Sequence, residues 1–263
     1  SFGRFVNSLN GDYIVACDVG TSTNDMDYIA EETPYVIGAA KTFDKNEDPS
    51  PHTARGVFLG IQAAVDFKLK KSSLEGVHVA IQGAGHVGYE LTKLLTQAGA
   101  EVTIADNDPE KIHKITQNFR VNVVPCDRIY DVPCDVFSPC ALGGTINHDS
   151  ILRLDTKIIA GCANNQLAHK QVISMIEKKG ILYAPDFVIN SGGLIHAAMI
   201  YDYADLERSN RKIDTLKDTL FNLYETSAQL KLSTVDVAFN IAQKKLRATT
   251  NESQSNNPTL FGR

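Results

Sequence analysis

The chain has 263 residues, 43% of them hydrophobic and 22% charged, with a formal net charge of -5. A chain of this length buries a full core in one large or two modest domains. Its acidic balance, with no basic stripe interleaved with aromatics, excludes a nucleic-acid-binding surface. No apolar run is long enough to span a bilayer, so no membrane partner is expected. The five cysteines, Cys17, Cys126, Cys134, Cys140 and Cys162, include no Cys-x-x-Cys pair. An odd, unpaired set points to a reducing, cytoplasmic compartment and argues against a metal site.

In chain order, Tyr13 to Ala16 reads as a short strand running into Cys17-Asp18-Val19-Gly20-Thr21. A carboxylate at a strand end before glycine can point into a cleft, but a turn-forming aspartate bonded to the amides after it has the same pattern. Lys41 to Pro51 is a polar loop, and Asp48-Pro49-Ser50-Pro51 sets a stop before the next helix. From His52 to Leu69, Val57, Phe58, Ile61, Ala64, Val65 and Leu69 mark one helical face. This helix is the natural strut between domains, with Thr53 in its first turn.

The stretch from Val77 to Asp106 carries the strongest signal. Val77, Val79 and Ile81 make a β-branched strand, Gly83-Ala84-Gly85-His86-Val87-Gly88 a glycine turn, and Leu91, Leu94, Leu95 and Ala98 a helical face. A second strand then ends in Asp106. Strand, glycine turn, helix and acid in that order form the dinucleotide fingerprint. The helix N-terminus offers amides and a positive dipole end to a pyrophosphate. Asp106 is placed to accept hydrogen bonds from the adenosine ribose hydroxyls, and a 2′-phosphate there would meet a like charge. The expected cofactor is therefore NAD rather than NADP.

The alternation continues. Asp108 and Pro109 cap and start a helix with Ile112, Ile115 and Phe119 on its buried face. Strands follow at Val121–Val124, at Cys134–Phe137 halted by Pro139, at Lys157–Ala160 and at Ile181–Tyr183. Short apolar strands alternating with helices predict an α/β fold, a doubly wound parallel sheet of Rossmann type, whose ligands sit beyond the carboxyl ends of the strands. The polar loops after the last three strands are the expected walls of a nicotinamide pocket. The rest is helical, with one stripe at Leu216, Leu220, Leu223 and Tyr224 and another at Val237, Ile241, Ala242 and Leu246. From Thr249 the tail is expected to be loosely held.

Several motifs occur in a fixed order: Ala16-Cys17-Asp18-Val19-Gly20-Thr21, Pro49-Ser50-Pro51-His52-Thr53-Ala54, the glycine turn, Pro139-Cys140-Ala141-Leu142-Gly143-Gly144, Asn164-Asn165-Gln166-Leu167, and Pro185-Asp186 with Asn190-Ser191-Gly192-Gly193. The set resembles the glutamate/leucine/phenylalanine/valine dehydrogenase superfamily, the leucine branch most of all. The resemblance implies reversible oxidative deamination of an L-amino acid to a 2-oxo acid and ammonia. It makes Asp18 a catalytic residue in proton transfer and Thr53 the residue that holds the nicotinamide carboxamide. It places Cys140, Ala141, Asn164 and Asn165 around the nicotinamide ribose and the substrate amine. Ala16, Leu194 and Ala197 fall where the family lines its side-chain pocket. All three are apolar, so a branched aliphatic substrate is expected, with phenylalanine second.

The same resemblance divides the chain into residues 1–50, the remainder of a substrate domain, residues 51–205, the dinucleotide-binding domain, and residues 206–263, C-terminal helices packing back on the substrate domain. A homo-oligomer is expected. One departure stands out. The family's catalytic lysine lies in a Gly-Gly-Gly-Lys segment before the Asp-Val-Gly-Thr motif, whereas no lysine precedes Asp18 here. Arg4 stays protonated and cannot serve as the base. The expectation is a fragment of a longer enzyme, inactive as a deaminase by itself. The alternatives are a non-catalytic NAD-binding module and a hydroxy-acid dehydrogenase using a cleft histidine. For the latter, neither His86 nor His196 has an orienting carboxylate nearby in sequence.

Overall fold

The computed structural model describes residues 1–18, 20–39 and 48–255, with side chains described to residue 248. From the middle of the chain onward, β1 (His78–Gln82), α4 (His86–Gln97), β2 (Glu101–Ala105), α5 (Pro109–Asn118) and β3 (Asn122–Val123) form the first wing of the sheet. β4 (Val136–Pro139), α6 (His148–Arg153), β5 (Ile158–Ile159), α7 (Gln171–Lys178) and β6 (Leu182–Tyr183) form the second. All pairings are parallel, in the order β3-β2-β1-β4-β5-β6. That is the doubly wound Rossmann order, whose switch point lies between β1 and β4.

Alternation along each strand builds a core on both faces. Val79, Ile81, Val102, Ile104, Val136 and Ile158 face one layer with Leu91 and Leu95 of α4. Ala80, Phe137 and Ile159 face the other with Ile146, Ile151 and Ile176. The first layer is completed by α3 (Ser50–Leu69) and α10 (Leu206–Leu230). α3 carries no side chain at Gly60, where a Cβ would lie 2.5 Å from Ile189 and 2.8 Å from Leu220. The two helices approach closely enough for Leu220, Leu223 and Tyr224 to join the sheet's core. Between them run α8 (Asp186–Ile189) and α9 (Gly192–Tyr203).

The N-terminal unit is smaller. α1 (Phe2–Ser8) and α2 (Thr23–Ala30) enclose Val6, Val15, Met26, Val36 and Ala39. Ser22 and Asp25 form a reciprocal cap at the start of α2.

Local readings shift in four places. The expected strand at Tyr13–Ala16 is reduced to one bridge, Val15 to Val36. Tyr13 and Ile14 stay exposed, and a lone pairing does not sustain a strand. α3 starts at Ser50 rather than His52. Asp48 accepts from the Ser50 amide at 2.9 Å and Pro51 sits in the first turn, where its missing N–H costs nothing. The expected stop is therefore the helix start, while residues 41–47 of the polar loop lie outside the described residues. β4 runs two residues later than expected and includes Pro139, because Cys140 supplies the ladder donor to Gln82 at 2.7 Å. Finally, α11 (Thr234–Ser255) buries Val237 and Ala238 but leaves Ile241, Ala242 and Leu246 exposed. This helix continues past Thr249, and residues 256–263 of the tail lie outside the described residues.

Candidate active site

The carboxyl ends of β1, β2, β4, β5 and β6 carry a continuous belt of polar contacts. At one end, Gly83 leaves β1 with φ +110° and backs onto the next wing: a Cβ there would lie 2.8 Å from the Cys140 carbonyl. Gly88 packs onto the Gly83 carbonyl. Gly85 caps α4, and a Cβ built on it meets nothing within 4 Å. The space before the unpaired amides of α4 is therefore open. Val87 is part-buried against the core, whereas His86 turns to solvent with its ring 4.0 Å from Asp48.

Asp106 does more than its sequence position implied. Its side chain is only 9% exposed. One oxygen accepts the Ala84 amide at 2.6 Å and the other the Asp108 amide at 2.9 Å. The acid thus locks the glycine turn, and each oxygen keeps a second lone pair for a ribose hydroxyl. Lys111 lies 4.0 Å away and also pairs with Asp108.

Farther along, the loops after β4 and β5 are pressed together. A Cβ on Gly143 would lie 2.8 Å from the Asn164 carbonyl, and the Gly144 amide donates to Asn165 at 2.8 Å. Asn165 takes a left-handed conformation, φ +52°, tolerated better by asparagine than by most residues. Asn190, just after α8, donates to the Asn164 side-chain oxygen at 2.6 Å and to the Cys162 carbonyl at 3.2 Å. With its oxygen so engaged, Asn164 presents its NH2 group as a donor. The buried Gln166 donates to the Gly161 carbonyl at 2.8 Å, and Asp186 accepts the Gln166 amide at 3.2 Å.

The belt ends at the seam between α3 and α9. Gly192 packs on His52, and Gly193 leaves room for the Thr53 hydroxyl, which donates to the Pro49 carbonyl at 3.1 Å. The rings of His52 and His196 stack at 3.5 Å, 7° from parallel, and the His196 ring lies 3.0 Å from the Ser209 hydroxyl of α10. Burial, followed by the facing His196, pushes the His52 pKa down to about 4, and burial lowers His196 as well.

The expected residues Gly83, Gly85, Val87, Gly88, Asp106, Cys140, Ala141, Asn164, Asn165 and Thr53 thus border or form one belt. Leu194 and Ala197 stand one turn apart on α9, the former 74% exposed, continuing from the Thr53 seam. Asp18 and Ala16 stand on a different element, the turn closed by the Thr21 amide on the Asp18 carbonyl at 2.9 Å. The sequence reading did not place the Asn190 clamp or the histidine stack in the site. His52 and His196 are far apart in the chain, so no local spacing could signal their pairing. Among the described residues, no group of three or more metal-ligating side chains occurs and no helix is long and apolar enough to cross a membrane.

An open cradle at a helix N-terminus, a locking acid at the end of β2 and the 3-2-1-4-5-6 order define a Rossmann-type dinucleotide-binding protein. Comparison with known proteins narrows this. The profile of the glutamate/leucine/phenylalanine/valine dehydrogenases matches residues 47–110 and 103–253. Leucine dehydrogenase of Thermoactinomyces intermedius is 43% identical over 246 residues, covering 94% of this chain and 67% of that protein. Leucine dehydrogenase of Geobacillus stearothermophilus is 41% identical over 247 residues, again covering 94% and 67%. Among solved structures, L-tryptophan dehydrogenase from Nostoc punctiforme superimposes with a TM-score of 0.83 at 38% identity, over 95% of this chain and 72% of that one. The chain belongs to the glutamate/leucine/phenylalanine/valine dehydrogenase family, whose members are NAD(P)-dependent amino acid dehydrogenases.

Proposed function

We propose that the chain serves an NAD-dependent amino acid dehydrogenase that reversibly deaminates a branched-chain L-amino acid to its 2-oxo acid and ammonia. The observation that carries the cofactor choice is Asp106, a nearly buried carboxylate holding the glycine turn where the adenosine ribose would lie. A 2′-phosphate there would meet like charge. When bound, NAD supplies the hydride acceptor.

The chain's own residues then have separable tasks. The amides of α4 take the pyrophosphate, Thr53 orients the carboxamide, and Asn164, held by Asn190, offers its NH2 group to an oxygen of ribose or substrate. Asp18, on the turn of the N-terminal unit, moves a proton on and off the substrate amine. Ala16, Leu194 and Ala197 take the side chain, and a charged glutamate side chain would be desolvated there without a partner, at several kcal/mol. The names of the leucine dehydrogenase relatives support the aliphatic choice. The exposed Phe239, Ile241 and Leu246 of α11 support a homo-oligomer, and the unpaired cysteine set supports a cytoplasmic setting.

Specificity constants for leucine, phenylalanine and glutamate test the substrate reading, measured on protein that also carries the family's glycine-lysine segment. Leucine is expected to rank first, and a higher value for glutamate would overturn it.

A further inference from the structure

The belt contains a pair of thiols that dinucleotide binding does not require. β4 and β5 pair in register, Val136 with Ile158 and Phe137 with Ile159. Past the strand ends the Ala163 amide donates to the Pro139 carbonyl at 3.0 Å, which keeps the two loops side by side at Cys140 and Cys162. Adjacent strands lie about 4.8 Å apart, within the Cα separation that a disulfide bridges. The Cys162 sulfur is 3.9 Å from the Cys140 carbonyl, and the Ser138 hydroxyl lies 3.4 Å from the Cys140 sulfur. Both cysteines are partly buried at the carboxyl edge of the sheet.

We propose that Cys140 and Cys162 form a reversible disulfide on exposure to hydrogen peroxide, and that this bond closes the dinucleotide site. The consequence for binding rests on the functional reading above. The Cys140 thiol gives up its proton and its sulfur attacks one oxygen of hydrogen peroxide, breaking the O–O bond to leave a sulfenic acid, while the departing hydroxide takes up that proton and leaves as one water. Cys162 then attacks the sulfenic sulfur as the S–O bond breaks, and its proton leaves with the oxygen as a second water. Two thiols lose two electrons and the peroxide gains them.

The environment assigns the roles. Hydrogen bonds from Cys162 and Ser138 hold the Cys140 thiol below its ordinary range, which raises its thiolate share, while Cys162 is pushed up. Cys134, by contrast, is pushed up to about 11 by burial and is poorly reactive. Drawing the sulfurs together moves the two loops that wall the pocket. Cys140 has no slack on its other side, because its carbonyl already abuts Gly83. The bond therefore pulls on the glycine turn itself.

The test is treatment of the reduced chain with hydrogen peroxide, followed by intact mass, peptide mapping and NADH titration. The expected product is about 2 Da lighter through loss of two hydrogens, maps to Cys140–Cys162, binds NADH at least about tenfold more weakly and recovers with dithiothreitol. Cys162→Ala is expected to keep its NADH affinity through the same treatment. Oxidation without the mapped disulfide, a disulfide form that binds NADH as before, or equal loss in Cys162→Ala each overturns the proposal. Failure of the reduced chain to bind any nucleotide overturns the functional reading instead, while the mass and map still decide whether the disulfide forms.

Discussion

The dinucleotide-binding half and the N-terminal unit bury their residues on different scales. The sheet packs two apolar layers, and its glycine turn, asparagine loops and α3–α9 seam are tied to one another by hydrogen bonds and glycine contacts. The N-terminal unit rests on Val6, Val15, Met26, Val36 and Ala39, and holds Asp18 on a turn rather than at the end of a formed strand. Small cores bury a smaller fraction of their surface and open more readily. One wall of the proposed site is therefore fixed by the fold and the other is held by few contacts, which suits a cleft that closes on its substrate.

Substitutions sharpen this contrast, the largest effect falling on the small core. Met26→Ala is expected to cost about 2–5 kcal/mol, read as faster hydrogen exchange across residues 1–39, with NADH affinity unchanged. Exchange spread evenly over the sheet would remove the distinction. Gly85→Val fills the open cradle without touching protein, so the unfolding midpoint stays put while NADH binding weakens by about 100-fold. Asp106→Asn places an NH2 group against one of the amides it now accepts. NADH binding is expected to weaken by about tenfold, narrowing the preference over NADPH. Asn190→Ala frees the Asn164 side chain and is expected to cost about 1 kcal/mol in nicotinamide-dependent binding, with adenosine diphosphate ribose affinity unaffected.

The last effect is a pH dependence at the seam. Folded His52 stays neutral until about pH 4, whereas the unfolded chain protonates it near 6.5. Between those values unfolding takes up a proton, so stability is full above about pH 6.5 and declines as the pH falls toward 4. His52→Phe keeps a ring against His196 and should flatten that part of the melting-temperature profile. An unchanged slope would assign the pH dependence to other groups.

Much of the sheet was legible because its signals are local. The glycine turn, the Asp108-Pro109 cap and the spacing of apolar runs each act within a few residues, and together they imply the alternating parallel sheet that forms. Pro139 misplaced the fourth strand because proline was read as a terminator. Whether a missing N–H matters depends on where the partner strand's acceptors lie, and here Cys140 donates in its place. Asp106 was read as a partner for ribose, while its grip on the Ala84 and Asp108 amides follows from the turn's geometry. The histidine stack and the Asn190–Asn164 clamp are products of long-range packing, without periodicity to announce them.

The central claim is that Asp106 and the glycine turn make an NAD site. Calorimetric titration of the 263-residue chain with NADH and NADPH, repeated on Asp106→Asn, tests it most directly. The account predicts NADH binding at least about tenfold tighter than NADPH, and a narrower gap in the variant. Equal affinities in the parent chain, a preference for NADPH, or a gap unchanged by the substitution would contradict it.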